Sequence, residues 1–218
     1  MKRLLAATMM VTVMGLSACT GQQNERVQIL TDYGVTVDDG ITTAELQTAM
    51  AKMLSHEGSV TALKDKFRYT FEDQPDVLQS LAGEFDRYHK IESDPVLKMQ
   101  EAKRLNKISV DNDLTEFWLD QLALDGNPEA HYMLSALGGL HPDVLPRNLI
   151  FAAEHGIVDA QVDLGDWYVK RNKGDDMKEA YYWYLKAQSQ GRDLPIRIAK
   201  IPHRLPANEM REVEGRIK

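Results

Sequence analysis

From residue 41 onward, apolar residues recur at three- and four-residue spacing and do not alternate. Met50, Met53 and Leu54 follow Leu46, behind Thr42-Thr43-Ala44-Glu45, which offers a cap and an acid in the first turn. Pro75-Asp76 leads to Leu78, Leu81, Phe85 and Tyr88, and Asp94-Pro95 leads to Leu97, Ala102 and Leu105. Such spacing places each set on one face of a 3.6-residue helix, and proline or an acid at the start is a helix-opening signal. Asp111-Asn112-Asp113 begins like a calcium loop, but Glu116 stands where the turn glycine is needed, so it reads as another cap. Before residue 41, Val27 to Val37 reads as a brief extended stretch, broken by Gly34 and closed by a turn at Asp38-Asp39-Gly40. With no strand alternation after residue 40, the pattern predicts an all-α chain.

Aligned on glycine, three segments fall into register: Trp118-Leu-Asp-Gln-Leu-Ala-Leu-Asp-Gly126, Asn148-Leu-Ile-Phe-Ala-Ala-Glu-His-Gly156 and Trp183-Tyr-Leu-Lys-Ala-Gln-Ser-Gln-Gly191. Each reads as a helix end closed by a glycine, the residue that takes the left-handed cap conformation without steric cost. After the first two glycines a second pattern is shared, with Ala130 and Leu134 matched by Ala160 and Leu164. Two helices alternate in a unit of roughly 30 to 35 residues, the period of a helical solenoid.

These residues resemble the Sel-one-like repeat, a relative of the tetratricopeptide repeat. Its pattern runs Ala-x-x-x-Leu-Gly-x-x-Tyr, a loop with Gly and Asp, then Ala-x-x-Trp-x-x-Lys-Ala-Ala-x-x-Gly. The last unit supplies Ala160, Leu164, Gly165 and Tyr168, then Gly174 and Asp176, then Ala180, Trp183, Lys186, Ala187 and Gly191. It departs by a loop about one residue short and by Gln188 in place of the second alanine. The preceding unit keeps Ala130, Leu134, Ala152, Ala153 and Gly156, with a shortened loop through His141-Pro142 and Asn148 at the tryptophan position. Trp118 to Gly126 matches only the closing helix of an earlier unit. The resemblance covers residues 111 to 191 and implies a short α-solenoid of helix pairs that binds another protein.

At about 100° per residue, Ala180, Trp183, Tyr184 and Ala187 share one face of a helix. Trp183 is therefore expected in the core, as aromatic stripes at helical spacing usually are. Tyr181 and Leu185 point to a flank where a neighbouring helix packs, and Tyr182 points nearly opposite the seam, which makes it a candidate partner contact. The positions between core residues on the first helices, Tyr132, Met133, Gln161 and Asp163, are the other candidates, since a solenoid uses such positions to suit a partner. After Gly191 the repeat stops, and Pro202, Pro206 and a helix over 208–217 are expected to cap it. Arg192, Arg197, Lys200 and Arg204 form a local basic strip, read as a solvated tail balancing nearby acids.

The chain opens with Met1-Lys2-Arg3, an apolar stretch from Leu4 to Gly15, and Leu16-Ser17-Ala18-Cys19. A charged start, a short apolar run and a small-residue end make a secretory signal, and the run is shorter than the roughly 20 residues of a membrane span. Leu16-Ser17-Ala18-Cys19 resembles the lipobox of bacterial lipoproteins. That resemblance implies cleavage after residue 18 and acylation of Cys19 with diacylglyceryl and fatty acyl groups, the only groups the protein would carry. Two or more acyl chains make stable membrane anchoring. Cys19 is the single cysteine, so no disulfide forms within the chain. Thr20 after the cysteine favours the outer membrane in enterobacterial lipoproteins. Losing residues 1–18 takes away Lys2 and Arg3 and no acid, moving the formal charge from −7 to −9. A chain this acidic is a poor partner for nucleic acid or anionic headgroups.

No catalytic or metal-binding motif stands out. The histidines at 56, 89, 131, 141, 155 and 203 lack close ligand spacing and there are no thiolate partners. Glu92-Ser93 and Met99-Gln100 faintly resemble pieces of lytic transglycosylases, but they lie too close together, and Ser93-Asp94-Pro95 reads as a helix start. The expected organisation is a signal over 1–18, a lipidated cysteine and tether over 19–40, a small helical region over 41–110, repeats over 111–191 and a cap over 192–218. The expected role is a lipid-anchored scaffold or adaptor in the bacterial envelope, without cofactor or metal, whose partner is an envelope or periplasmic protein. A periplasmic immunity protein neutralising a delivered toxin is the alternative, and a peptidoglycan-acting enzyme a remote one.

Overall fold

The computed structural model describes residues 28, 31–32, 43–72, 75–108, 112–138 and 146–217. The leader, Cys19, the turn at 38–40, His141-Pro142 and Asp111 lie outside them. The regular structure among the described residues is helical, with no strand. Eleven α-helices follow one another: α1 Thr43–Glu57, α2 Val60–Thr70, α3 Pro75–Ser93, α4 Pro95–Ile108, α5 Asn112–Leu124, α6 Pro128–Leu137, α7 Arg147–Glu154, α8 Val158–Arg171, α9 Asp176–Ser189, α10 Pro195–Lys200 and α11 Ala207–Ile217, with a 3-10 turn at Ile201–His203 before the last. The expectation of an extended stretch over 27–37 is corrected for its described residues: 28, 31 and 32 are helical, and the Gln28 amide donates to Asp32 one turn on at 2.6 Å.

The chain forms two compact units that divide between Trp118 and Leu119, inside α5. Sequence places the boundary at 110/111 instead. The shift follows from packing, because Leu114, Thr115 and Trp118 are buried and the Trp118 ring stacks on Tyr88 of α3, 6.5 Å between centroids. In this first unit the predicted Met50, Met53 and Leu54 of α1 and Leu81 and Phe85 of α3 are almost fully buried, and Leu63 and Phe67 of α2, which the sequence reading did not single out, join them. Phe67 stacks on Phe71 and meets Phe85 edge-on. The predicted start at Asp94 is capped as expected, Asp94 Oδ1 accepting from Val96 N–H at 2.8 Å, and α2 has a cap the sequence reading did not name, Ser59 Oγ accepting from Ala62 N–H. Glu92 also has a structural place, accepting the Val60 N–H at the start of α2 at 2.9 Å.

The second unit is the repeat array. Gly126, Gly156 and Gly191 all have φ between +79° and +90° and close their helices with the same pair of bonds. The residue after each glycine donates to a carbonyl five residues back: Asn127 to Leu122, Ile157 to Ala152 and Arg192 to Ala187. The glycine itself donates three residues back, to Ala123, Ala153 and Gln188. This double closure satisfies carbonyls left open at a helix end.

The aromatic run of α9 is divided between two apolar clusters. Trp183 joins Leu149, Ala152 and Ala153 of α7 and Ala160, Leu164 and Trp167 of α8. Tyr181 and Tyr184 join Val162 and Met177 with Leu194, Ile201, Leu205 and Val213 from the C-terminal segment. Ala180 and Ala187 are fully buried, so α9 is a core seam as its periodicity predicts, and the segment after residue 192 covers its second side. Gly165 is where α8 and α9 come closest: a Cβ there would sit 2.7 Å from Tyr184 Cδ1 and nearer still to Cε1. Only a residue without a side chain admits that ring.

Candidate functional site

The first helices of the two described pairs, α6 and α8, are joined by a hydrogen bond from Tyr132 Oη to Asp163 Oδ2 at 2.9 Å. Both residues are half-buried, and Tyr132 also packs on the apolar cluster of α7 and α8. Burial and the Asp163 carboxylate push the Tyr132 phenol up to about 12, so it is a neutral donor at any physiological pH. Met133 lies half-buried beside Tyr132 on α6. Three of the five predicted contact residues, Tyr132, Met133 and Asp163, thus lie on the two first helices with part of their surface open.

Of the other two, Gln161 is corrected. Gln161 is 0% exposed and reaches no partner. Its side-chain N–H donates to the Ala153 carbonyl at 3.1 Å, and its Oε1 accepts from Gln190 at 2.9 Å, so it ties the second glycine turn to the third. His131 does the equivalent job thirty residues earlier. Its Nε2 lies 3.1 Å from the Ala123 carbonyl, the counterpart of Ala153, and its Nδ1 lies 2.9 Å from Asn148 Oδ1. The position after the repeat's alanine is therefore a structural polar bond, not a variable contact. Tyr182 is half-buried, as Tyr132 is, and keeps part of its surface open. Its ring packs on both apolar clusters, meets Trp183 edge-on, and is covered by the Arg216 guanidinium of α11 at 4.4 Å, which is itself fixed by Glu179.

Asp159 and Asp166, which sequence reasoning left aside, complete the surface with Asp163. Asp159, Asp163 and Asp166 recur at helical spacing along α8. On the side of α10, Arg192 pairs with Asp159, and Arg197 grips Asp166 with both ends of its guanidinium, Nη2 to Oδ2 at 2.7 Å and Nε to Oδ1 at 2.8 Å. Tyr184 donates to the same Asp166 carboxylate at 2.6 Å. Burial raises Asp166, but the bonds from Arg197 and Tyr184 outweigh it and hold the carboxyl below its ordinary range. The basic strip thus serves largely to balance acids of α8. Its signal was available as three aspartates at i, i+4 and i+7 followed by a local cluster of basic residues.

Below Arg197 opens a cleft of about 610 Å³. Val169, Met177, Tyr184 and Ile201 line its apolar part, and Lys200, His203 and Arg204 its polar rim. In the first unit a second cleft of about 570 Å³ lies along α3 and α4. There Glu101 is buried between Arg87 and Arg104, at 3.0 Å and 2.8 Å. Burial raises Glu101, yet the two guanidinium bonds hold it below its ordinary range. This trio is self-satisfied and fixes α4 to α3.

Among the described residues, no three or more of His, Cys, Asp and Glu are grouped to hold a metal ion, and no helix is long and apolar enough to cross a membrane. No family model matches the chain, and no curated protein or solved structure does.

Proposed function

We propose that this protein is a lipid-anchored, Sel-one-like helical-repeat protein of the bacterial envelope that works by binding another protein through the surface of α6 and α8. The observation that carries the reading is the joined first-helix face, where Tyr132, Met133 and Asp163 keep partial exposure while the second helices and the C-terminal segment hold the core. Stacked helix pairs characteristically bind along such a face, because side chains between the core positions can change without loss of packing. The repeated glycine closures and the Ala-Leu-Gly-Tyr and Ala-Trp-Lys-Ala residues of the last unit support the family reading. Acylation of Cys19 would hold the array at a membrane surface, by resemblance the outer membrane facing the periplasm.

Crosslinking in intact cells, followed by affinity purification of the tagged full chain, tests this. A Met133→Glu, Asp163→Lys variant changes the surface while leaving the buried clusters intact. A protein captured by the wild type and reduced at least tenfold in the variant is the expected result; equal capture overturns it. In the same preparations wild type is expected with the membranes and a Cys19→Ser variant in the soluble fraction.

A further inference from the structure

We propose that the cleft beneath α10 binds an acidic, apolar-containing peptide segment of a partner protein. Its floor is made by Met177, Tyr184 and Ile201, each less than a tenth exposed, and it continues outward to Ile196, which is 71% exposed. An apolar side chain inserted there would cover Ile196 and extend the buried cluster behind it. The rim is positive. The charge of Arg197 is used by Asp166, whereas Lys200 and His203 have no acidic partner among the described residues. Arg204 is held by a neutral group, donating to Asn172 Oδ1 at 2.5 Å, so it is oriented without losing its charge. Asn172 occupies the left-handed region at φ 50°, where it ends α8.

The Lys200 ammonium and the Arg204 guanidinium, neither paired with an acid among the described residues, stand around an apolar floor and fit a peptide that places carboxylates on either side of an apolar residue. The charge of the whole chain argues against the other anionic surfaces. A formal −7, or −9 without the leader, repels lipid headgroups and nucleic acid over long range. A short acidic peptide escapes most of that repulsion, since salt screens charges more than about 8 Å away at physiological ionic strength. The inference takes the protein-binding reading for the kind of ligand, but it concerns a different place from the Tyr132 and Asp163 face, so either can fail alone.

The test is fluorescence anisotropy of the purified mature chain with a fluorescein-labelled hexapeptide alternating leucine and glutamate. Saturable binding is expected, at least tenfold weaker for a leucine and glutamine peptide and at least tenfold weaker for Lys200→Glu. Lys200 is exposed and unpaired among the described residues, so that substitution should leave the circular dichroism spectrum unchanged; Arg204→Glu gives a second reading. No binding, or equal binding to wild type and both variants, overturns the proposal. Binding to phosphatidylglycerol vesicles that Lys200→Glu abolishes, without peptide binding, overturns it in favour of a membrane contact. In either of those cases, persistent crosslinking through Met133 leaves the first-helix reading standing.

Discussion

Replacing Gly165 by alanine is expected to destabilise the repeat unit by about 2 kcal/mol, although alanine is the better helix former by roughly 1 kcal/mol. The loss arises because the new Cβ would lie 2.7 Å from Tyr184 Cδ1 and closer to Cε1. Tyr184 cannot swing aside at low cost. It is 2% exposed, and its hydroxyl is fixed to an Asp166 that Arg197 also holds. Inserting volume into such a core generally costs about 1 to 3 kcal/mol. Leucine should cost more and prevent native packing of α8 on α9. Urea denaturation followed by far-UV circular dichroism measures the effect, and the cause is isolated by adding Tyr184→Leu. If the ring is the obstacle, the double variant is more stable than the sum of the single changes by at least about 1 kcal/mol. Strict additivity would mean that the close approach is not what requires glycine.

The largest single loss is expected for Trp167→Ala, about 4 kcal/mol, from the range of 3 to 5 for truncating a buried aromatic. Trp167 is 2% exposed in the cluster shared by α7, α8 and α9. It also organises the loop to α9, because the Arg171 guanidinium lies 4.5 Å over its ring and is held there by Asp176. Asp176 in turn accepts the Lys173 N–H at 2.7 Å, which fixes the turn between the two helices. Trp167→Phe keeps a ring in the cluster and under Arg171, and should recover more than half of the loss. A thermal melt of the three proteins checks the order wild type, phenylalanine, alanine; an alanine variant as stable as wild type would contradict the packing described here.

Much of this architecture is legible in the sequence because helix periodicity and glycine closure are local. Pro75, Pro95 and the cap at Asp94 open helices where local chemistry favours them, and the three glycines end theirs with one shared set of bonds. The seam of Ala180, Trp183, Tyr184 and Ala187 follows from angle alone. Periodicity gives a direction on one helix, however, and not the neighbour that lies in that direction. Tyr182 points away from the seam of its own helix and is still partly covered, because α11 lies outside the repeat pattern and brings Arg216 across its ring. Gln161 looks like a free polar position until the Ala153 carbonyl eight residues earlier is placed beside it by the turn at Gly156. Register could have indicated this, since His131 stands thirty residues before it with the same relation to Ala123. The acidic row on α8 was missed for a similar reason: Asp159 and Asp166 acquire their meaning from Arg192 and Arg197, more than thirty residues away.

The claim that the α6 and α8 face receives a partner protein is tested most directly by a photo-crosslinking amino acid placed at Met133 in the full-length chain in living cells. The comparison is the same amino acid at Tyr69, which is 76% exposed in the other unit. A discrete protein adduct from position 133, absent from position 69 and lost with Asp163→Lys, is the result expected. No adduct at 133, or the same adduct from both positions, would contradict the account.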